Sequence, residues 1–224
     1  MKQLEKIAKC STAIIATEYG NLPDVFQRHY FQQPAATLAV SSEILLAGLS
    51  NNTSYRRLSG LPKRAVRFTA DCIIEPQDYL PKLGVVSWKD CVGMAMLPKG
   101  LLHPESQNEV LSCWLTNLSD RMAQVLHAYV ADQVTPRLYL FPYHDFSARS
   151  EYRLAVSGGA LLDARCYRQR QDFQAGYREA IKKWWLGLGD HVAQLEQPLL
   201  IDVVLDTSRG FAIIDVNPNL QLYQ

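Results

Sequence analysis

The segment PLLIDVVLDTSRGFAIIDVNP, residues 198–218, decides the fold prediction for this chain. Two apolar runs flank the polar residues 207–210, a pattern typical of two antiparallel strands joined by a short turn. Apolar side chains occupy both alternating positions of each run, at 203 and 204 and again at 213 and 214. We therefore expect a hairpin covered on both of its faces, which makes the charged residues within it costly to bury without a partner.

Two carboxylates and an amide meet in this hairpin if residues 207–210 form a four-residue loop. Asp202 then faces Asp215, about 5 Å apart at Cβ, and Asn217 points to the same face, two residues farther on. The same register places Val204 opposite Ile213 and Asp206 opposite Phe211. Facing carboxylates destabilise a sheet unless a cation lies between them. Oxygen ligands of this kind suit Mg²⁺ completed by a substrate phosphate; the alternative is a solvent-facing strand end with an Asn-Pro turn.

The rest of the second half of the chain mixes helices with antiparallel strands. Periodic apolar residues over 105–132 predict an amphipathic helix, or two helices broken near Asn117. Strands are expected at 137–143 and at 150–168, the second being a hairpin that turns at 157–159. A helical period returns over 170–195. The pattern predicts an α+β protein with helices packed on antiparallel sheets.

The first half is less regular. Its first sixty residues combine short apolar runs with turn-rich polar pieces, which predicts a few strands and one helix. Residues 64–76 alternate around Val66, Phe68 and Ala70, which predicts a further strand.

Composition excludes several classes of protein. The chain has 224 residues, a net charge of +1 and five widely spaced cysteines without a CxxC pair. The charge gives no argument for nucleic acid or a membrane surface as partner, and the cysteines indicate neither zinc nor a disulfide framework. We find no secretory leader and no apolar run of membrane-spanning length. A cytoplasmic protein is therefore expected.

Cations that could meet a phosphate lie in two segments. The strand SEYRLAV carries Arg153, with Glu151 on the same face, and the return strand carries Arg165 and Arg168. An arginine fork suits phosphate oxygens, although Arg153 could instead form a core ion pair with Glu151. Two lysines lie in an earlier segment, Lys82 directly before an apolar run and Lys89 after that run. A lysine within a strand-like segment, such as Lys82, can extend its charged end to solvent or reach a phosphate. The chain contains no P-loop, no GxGxxG and no GxSxG sequence.

Three blocks together resemble the ATP-grasp fold, in particular its divergent branch that contains the cell division cycle protein 123 family. They are LPKLGVVSWKD (80–90), SEYRLAVSGGALLDARCYRQ (150–169) and IDVVLDTSRGFAIIDVNP (201–218). The blocks match the PKL, S-E-F-R and D-F-N-P blocks of that family in order and spacing.

The resemblance implies a fold of two lobes, each with a mainly antiparallel sheet and packed helices, with ATP and Mg²⁺ in the cleft between them. The N-terminal lobe would cover 1–136, including the lysine-bearing subdomain at about 62–136, and the C-terminal ATP-grasp lobe 137–224. Site residues follow from the same resemblance. Lys82 and Arg153 would contact the phosphates. Lys89 would lie on a neighbouring loop beside Ser87 and Asp90. The second arginine of the site would be Arg165 or Arg168. Adenine would use main-chain groups near Tyr139, Leu140 and Phe141. The metal ligands would be Asp202, Asp215 and Asn217.

Two functions are compatible with this resemblance. In the wider ATP-grasp class a carboxylate attacks the γ-phosphate and an amine captures the acyl phosphate, so the chain would be an ATP-dependent carboxylate–amine ligase or a protein- or peptide-modifying enzyme. Arg153 and Arg168 would then serve in catalysis. Eukaryotic members of the cell division cycle protein 123 family instead act as assembly chaperones for a translation initiation factor, which is the alternative.

Overall fold

The computed structural model describes residues 2–90, 96–189, 192 and 197–219. Its contacts divide the chain into two compact units. Unit 1 comprises Met1–Ile15 and Pro34–Tyr143, and unit 2 comprises Ala16–Gln33 and His144–Gln224. The strand at 137–142 belongs to unit 1 by this division, whereas the boundary after residue 136 placed it with the C-terminal lobe. That boundary stays a prediction of domain organisation.

Helices and strands both contribute to each unit. The helices of the described residues are α1 (Lys2–Lys9), α2 (Ser11–Ile15), α3 (Asp24–His29), α4 (Ser42–Asn51), α5 (Thr53–Ser59), α6 (Gln107–Thr116), α7 (Asp120–Ala131) and α8 (Tyr177–Gly187). The strands are β1 (Ala36–Ala39), β2 (Tyr79–Leu83), β3 (Val86–Ser87), β4 (Arg137–Pro142), β5 (Glu151–Ser157), β6 (Ala160–Arg168), β7 (Leu199–Asp206) and β8 (Gly210–Pro218). The predicted α+β class, with two mainly antiparallel sheets and packed helices, is confirmed. None of the described helices is long and apolar enough to cross a membrane.

The sheet of unit 1 has the strand order β1-β4-β2-β3, and each pairing in it is antiparallel. The helical region between β3 and β4 breaks as predicted near Asn117, where α6 ends and α7 begins. Ser119 caps α7 by accepting a hydrogen bond from the backbone N–H of Met122 at 3.2 Å. Such a cap satisfies one of the amide groups that the first turn of a helix leaves without an intrahelical partner.

The predicted strand at 64–76 is wrong. This segment has no regular secondary structure, because side chains of α6 take the place of a partner strand. The backbone N–H of Phe68 donates to Ser112 Oγ at 2.8 Å, and that of Ala70 donates to Asn108 Oδ1 at 2.8 Å. An extended chain can thus have its amides satisfied without forming a ladder.

The prediction of a few strands and one helix for the first sixty residues is also wrong. Five helices, α1 to α5, and the single strand β1 occupy this part of the chain. The apolar run 12–16, which has the texture of a strand, lies largely in α2, and α2 packs against α7. Tertiary packing overrides the β preference of the two isoleucines there.

The sheet of unit 2 has the order β6-β5-β7-β8, again with antiparallel pairings. Both predicted hairpins are present. The first turns through Gly158 and Gly159, whose φ angles of 54° and 76° favour glycine. One face of the sheet packs on α8: the ring centroids of Tyr152 and Tyr177 lie 4.8 Å apart, and those of Phe211 and Trp184 lie 6.0 Å apart.

The register of the last hairpin differs from the prediction near its turn. Asp206 pairs with Gly210, so the loop has the three residues 207–209, and Val203 pairs with Ile213. The predicted pairs Val204–Ile213 and Asp206–Phe211 are therefore wrong by one position. An irregularity at Ile214 then inserts one extra residue into β8. Beyond it Asp202 faces Asp215, as predicted.

Candidate functional site

Four charged residues form one row across the sheet of unit 2. The register pairs Arg165 of β6 with Arg153 of β5, Arg153 with Asp202 of β7, and Asp202 with Asp215 of β8. Residues paired across antiparallel strands point to the same face, and neighbouring strands lie about 4.8 Å apart, so the row spans about 14 Å. The row is basic on the β6 side and acidic on the β8 side. We call it the charged row.

The two central members of the charged row form a bidentate ion pair. Arg153 Nε donates to Asp202 Oδ1 at 2.7 Å, and Arg153 Nη2 donates to Asp202 Oδ2 at 2.8 Å. The side chain of Arg153 is 21% exposed and that of Asp202 is 5% exposed. The hydrogen bonds that Arg153 donates to Asp202, together with the negative charge of that carboxylate, raise the pKa of Arg153 above its ordinary value, although burial opposes this. Arg153 is therefore a permanent cation at this position.

Asp215 and Asn217 complete the acidic end of the site. Asp215 is buried, with 6% exposure, and Asn217 Nδ2 donates to Asp215 Oδ2 at 3.3 Å. Asn217 lies two residues beyond Asp215 in β8 and pairs with Leu200. Because side chains alternate along a strand, it points to the same face as Asp215. Two carboxylates and an amide oxygen are hard donors that fit Mg²⁺. Among the described residues there is no group of three histidine, cysteine, aspartate or glutamate side chains that could hold a metal ion without the amide.

Tyr167 belongs to this site, although it is not among the residues predicted from the sequence. The guanidinium of Arg153 lies 4.0 Å from the centroid of its ring, and that of Arg168 lies 5.6 Å away. A register shift between Cys166 and Arg168 makes Tyr167 the extra residue of β6. Tyr167 lies two residues beyond Arg165, so the alternation of strand positions would also place it on the face of Arg165.

Arg168 and Glu151 form the outer ion pair of this region. Arg168 Nη1 lies 3.6 Å from Glu151 Oε1, and the Arg168 side chain is 55% exposed. The alternative in which Arg153 pairs with Glu151 is therefore wrong, since Arg153 binds Asp202 instead. Both Arg165, opposite Arg153, and Arg168, opposite Glu151, lie on the face of the charged row.

A separate segment of unit 2 covers the β8 edge of the sheet. Tyr30 forms a parallel bridge with Ile213, and the backbone N–H of Phe31 donates to the Ile213 carbonyl at 2.8 Å. Arg209, in the turn between β7 and β8, donates from Nη2 to the Phe31 carbonyl at 2.8 Å and to Asp206 Oδ2 at 3.1 Å. This arrangement pairs main-chain groups of the strand that carries Asp215 and Asn217.

Lys82 lies within β2 of unit 1, as predicted for the lysine-bearing strand. It is buried, pairs with Tyr139 on one side and Ser87 on the other, and its Nζ lies 6.0 Å from the centroid of the Phe141 ring. Lys89 is exposed in a short 3-10 turn, where its backbone N–H donates to Ser87 Oγ at 3.3 Å. The side chain of Asp90 lies outside the described residues.

The segment Tyr139–Phe141, expected to contact adenine through its main chain, belongs to β4. Tyr139 and Leu140 lie between two partner strands, β1 on one side and β2 on the other. The register with β1 ends at Leu140, whereas Phe141 still pairs with Leu80 of β2. All three residues therefore take part in the ladder of the unit 1 sheet.

Comparison with solved structures identifies the architecture. The structure of Cdc123 from Schizosaccharomyces pombe matches 93% of this chain and 85% of its own, with a TM-score of 0.57 and 19% sequence identity. The chain has the fold of Cdc123. A C-terminally truncated Cdc123 from the same organism matches the same shares of both chains, with a TM-score of 0.53 and 17% identity. The sequence resemblance to this divergent ATP-grasp branch is thus confirmed for the fold.

Other similarities are weaker. The D-cycloserine synthetase DcsG matches 92% of this chain and 65% of its own, with 14% identity and a TM-score of 0.41, which is too low to support an argument. Neither a protein-family model nor a curated protein sequence matches the chain.

Proposed function

We propose that this protein binds ATP together with Mg²⁺ and uses the site of unit 2 to hold the metal and the phosphates. The observation that supports the proposal is the charged row, which brings carboxylates and arginines together on one face of a sheet. Buried like charges such as Asp202 and Asp215 are costly unless cations compensate them. The guanidinium of Arg153 offsets part of this negative charge, and a divalent cation held by the same carboxylates would offset it further.

Each residue of unit 2 has a role in this proposal. Asp202, Asp215 and Asn217 would hold Mg²⁺, which would neutralise charge on a transferring phosphoryl group. Arg153 would contact the phosphates, since a guanidinium can bind two oxygens at once. Arg165 and Arg168 supply two further cations on the same face, and we assign the second phosphate contact to one of them.

The residues of unit 1 have a separate assignment. Lys82 would bind a phosphate as a point charge, and Lys89 would assist it from the neighbouring turn. Adenine would contact the main chain of Tyr139, Leu140 and Phe141.

The chemistry that we propose for the bound nucleotide is ATP-dependent ligation of a carboxylate to an amine. A substrate carboxylate attacks the γ-phosphorus, the bond to the β–γ bridging oxygen breaks, and ADP leaves. The amine then attacks the acyl phosphate carbon, phosphate departs, and the amine nitrogen loses a proton. Arg153 and Arg168 would stabilise the charge that develops on the phosphoryl oxygens. A protein or peptide could supply either group.

An assembly chaperone for a translation initiation factor is the second candidate. The fold similarity to Cdc123, at a TM-score of 0.57, favours it, because the sequence resemblance implies this role for that family. In this case ATP and Mg²⁺ would stabilise a binding-competent conformation, and a subunit of the factor would be the partner.

Nucleotide binding is tested by the melting temperature of the protein with ATP and Mg²⁺. A ligand that binds only the folded state at about 100 times its Kd stabilises that state by about 2.7 kcal/mol. We expect the corresponding rise in melting temperature in the wild type and in Asp163→Ala, which removes an exposed carboxylate of β6. We expect its loss in Asp215→Ala and in Asp215→Asn, the second of which preserves the shape of the side chain. A full shift in both Asp215 variants would refute the metal assignment.

The two candidate functions are separated by turnover. The protein is incubated with labelled ATP, a cell extract and Mg²⁺, and ADP and new amide products are measured. Release of ADP together with an amide adduct favours the ligase, and loss of both in Arg168→Ala would support the catalytic role of Arg168. Stable ATP binding without turnover, together with co-purification of a translation factor, favours the chaperone.

A further inference from the structure

The carboxylate assigned to the metal is bonded to the arginine assigned to the phosphates. Both oxygens of Asp202 accept hydrogen bonds from Arg153, at 2.7 and 2.8 Å. This observation concerns how the site is loaded, and it rests on the function proposed above.

A metal ion and a guanidinium compete at Asp202. The guanidinium satisfies one lone pair on each oxygen and places a positive charge within hydrogen-bond distance, so a divalent cation entering alone meets electrostatic repulsion. Asp202 is nearly inaccessible to water, with its side chain 5% exposed, and this limits the screening of that repulsion by solvent.

A polyphosphate would relieve this competition. It offers the guanidinium of Arg153 another pair of oxygens with the same fork geometry. The ring of Tyr167, 4.0 Å from Arg153, stabilises the cation from the β6 side through its π face. The side chain of Arg153 is more exposed than that of Asp202, so the arginine is the partner that can turn toward a ligand.

We infer that the Arg153–Asp202 ion pair makes the binding of metal and polyphosphate cooperative. The polyphosphate takes Arg153 and the metal takes Asp202, so each ligand removes the partner that hinders the other. Such coupling is reciprocal: the factor by which the nucleotide tightens metal binding equals the factor by which the metal tightens nucleotide binding.

The test measures Mn²⁺ binding by titration calorimetry, with and without a nonhydrolysable ATP analogue. In the wild type we expect the analogue to tighten Mn²⁺ binding by about tenfold or more, within the usual range of coupling between sites. In Arg153→Gln we expect Mn²⁺ alone to bind about tenfold more tightly than in the wild type, and the coupling to fall toward one. Arg153→Lys keeps the charge but loses the fork, and Mn²⁺ alone should again bind more tightly, by a smaller factor.

Two matched variants distinguish the ion pair from general charge effects. Arg170→Gln removes an arginine charge from an exposed position of unit 2 and should leave Mn²⁺ binding unchanged. Asp202→Asn releases Arg153 from its charged partner, and the ATP analogue in the presence of a chelator should then bind more tightly than it binds the wild type.

The outcomes separate this inference from the proposed function. If the wild type binds Mn²⁺ with the analogue but neither Arg153 variant binds Mn²⁺ alone more tightly, the inference is overturned and the proposed function stands. An equal tightening in Arg170→Gln would also overturn it, because net charge would then explain the effect. If the wild type binds no metal–nucleotide complex, the proposed function fails and the inference fails with it.

Discussion

The two edges of the sheet in unit 2 differ in what covers them and in the charges that they carry. At the β8 edge, the segment around Tyr30 and Phe31 pairs with Ile213, and the strand is largely buried. At the β6 edge, Leu162 is 59% exposed, and side chains bond the backbone instead. Asp163 Oδ1 accepts from the Ala164 N–H at 2.9 Å, and Tyr177 Oη accepts from the Cys166 N–H at 3.2 Å.

This difference matches the division of the charged row. The carboxylates of the charged row lie toward the covered edge, where the segment around Tyr30 and Phe31 restricts movement of the strand. Arg165 lies on the open edge, where its side chain has room to turn. The Arg153–Asp202 ion pair joins the two halves. The acidic half of the charged row therefore depends on its surroundings for position, whereas the basic half is available to a ligand.

The largest effect is expected when the ion pair is broken. Arg153→Ala leaves Asp202 buried without its cation, and the free energy of unfolding at pH 7 should fall by about 3 kcal/mol. Urea unfolding measures this change. In Arg170→Ala, which removes an exposed arginine of the same unit, the change should stay within about 0.5 kcal/mol. Equal losses of unfolding free energy in the two variants would show that Arg153 contributes no more to stability than an exposed arginine does.

A smaller effect is expected when the covered edge is released. Arg209→Ala removes the hydrogen bond to the Phe31 carbonyl and the ion pair with Asp206. Because the Arg209 side chain is 49% exposed, solvent weakens these interactions, and the expected loss is about 1 kcal/mol.

Hydrogen exchange at the backbone of Phe31 provides the local measurement for this variant. Protection of this amide should decrease in Arg209→Ala but not in Arg168→Ala, which removes the exposed partner of Glu151 at the other edge. Unchanged protection of Phe31 in Arg209→Ala would mean that the bridge at Ile213 covers the edge without help from the arginine.

The smallest effect is a pH dependence at the β7–β8 turn. Hydrogen bonds from the hydroxyl and backbone N–H of Ser208, together with the bonds and charge of Arg209, hold the pKa of Asp206 well below its ordinary value of 3.8. A depressed folded-state pKa contributes stability that is present above the unfolded pKa and lost as the pH falls through the folded one. The melting temperatures of the wild type and Asp206→Asn should therefore differ by a constant amount from pH 6 down to about pH 4, and the difference should shrink as the pH falls further toward the folded-state pKa. A difference that stays unchanged between about pH 4 and about pH 2 would contradict the assignment.

Much of the fold was predictable from residues whose local signals agree with their packing. The break near Asn117, the glycine turn of the first hairpin and the terminal hairpin all follow from turn chemistry and apolar periodicity. The strand prediction for the segment around Phe68 was wrong because this extended segment hydrogen-bonds to side chains of α6 instead of a partner strand. No pattern in the segment itself encodes those partners. The strand-like character of the two isoleucines in α2 was misleading because contacts of α2 with α7 outweigh their local preference for strands.

The candidate site was predictable in part. The pairing of Asp202 with Asp215 follows from the hairpin, although the prediction reached it through a loop one residue too long. The bidentate bond between Arg153 and Asp202 required the order of β5 beside β7, which depends on contacts between distant segments. Alternation alone indicates the face of Tyr167, two residues from Arg165, but the extra residue in β6 that brings Arg168 opposite Glu151 has no sequence signature.

The extra residue at Ile214 has a consequence for the evolution of the terminal hairpin. The three-residue turn alone would put Asp215 on the same face as Ile213, which packs toward α8, and the insertion in β8 returns it to the face of Asp202. Gain or loss of one residue at either place would reverse this, because strand side chains alternate with a period of two. In any relative that retains both carboxylates, the length of the turn and the irregularity in β8 must therefore change together.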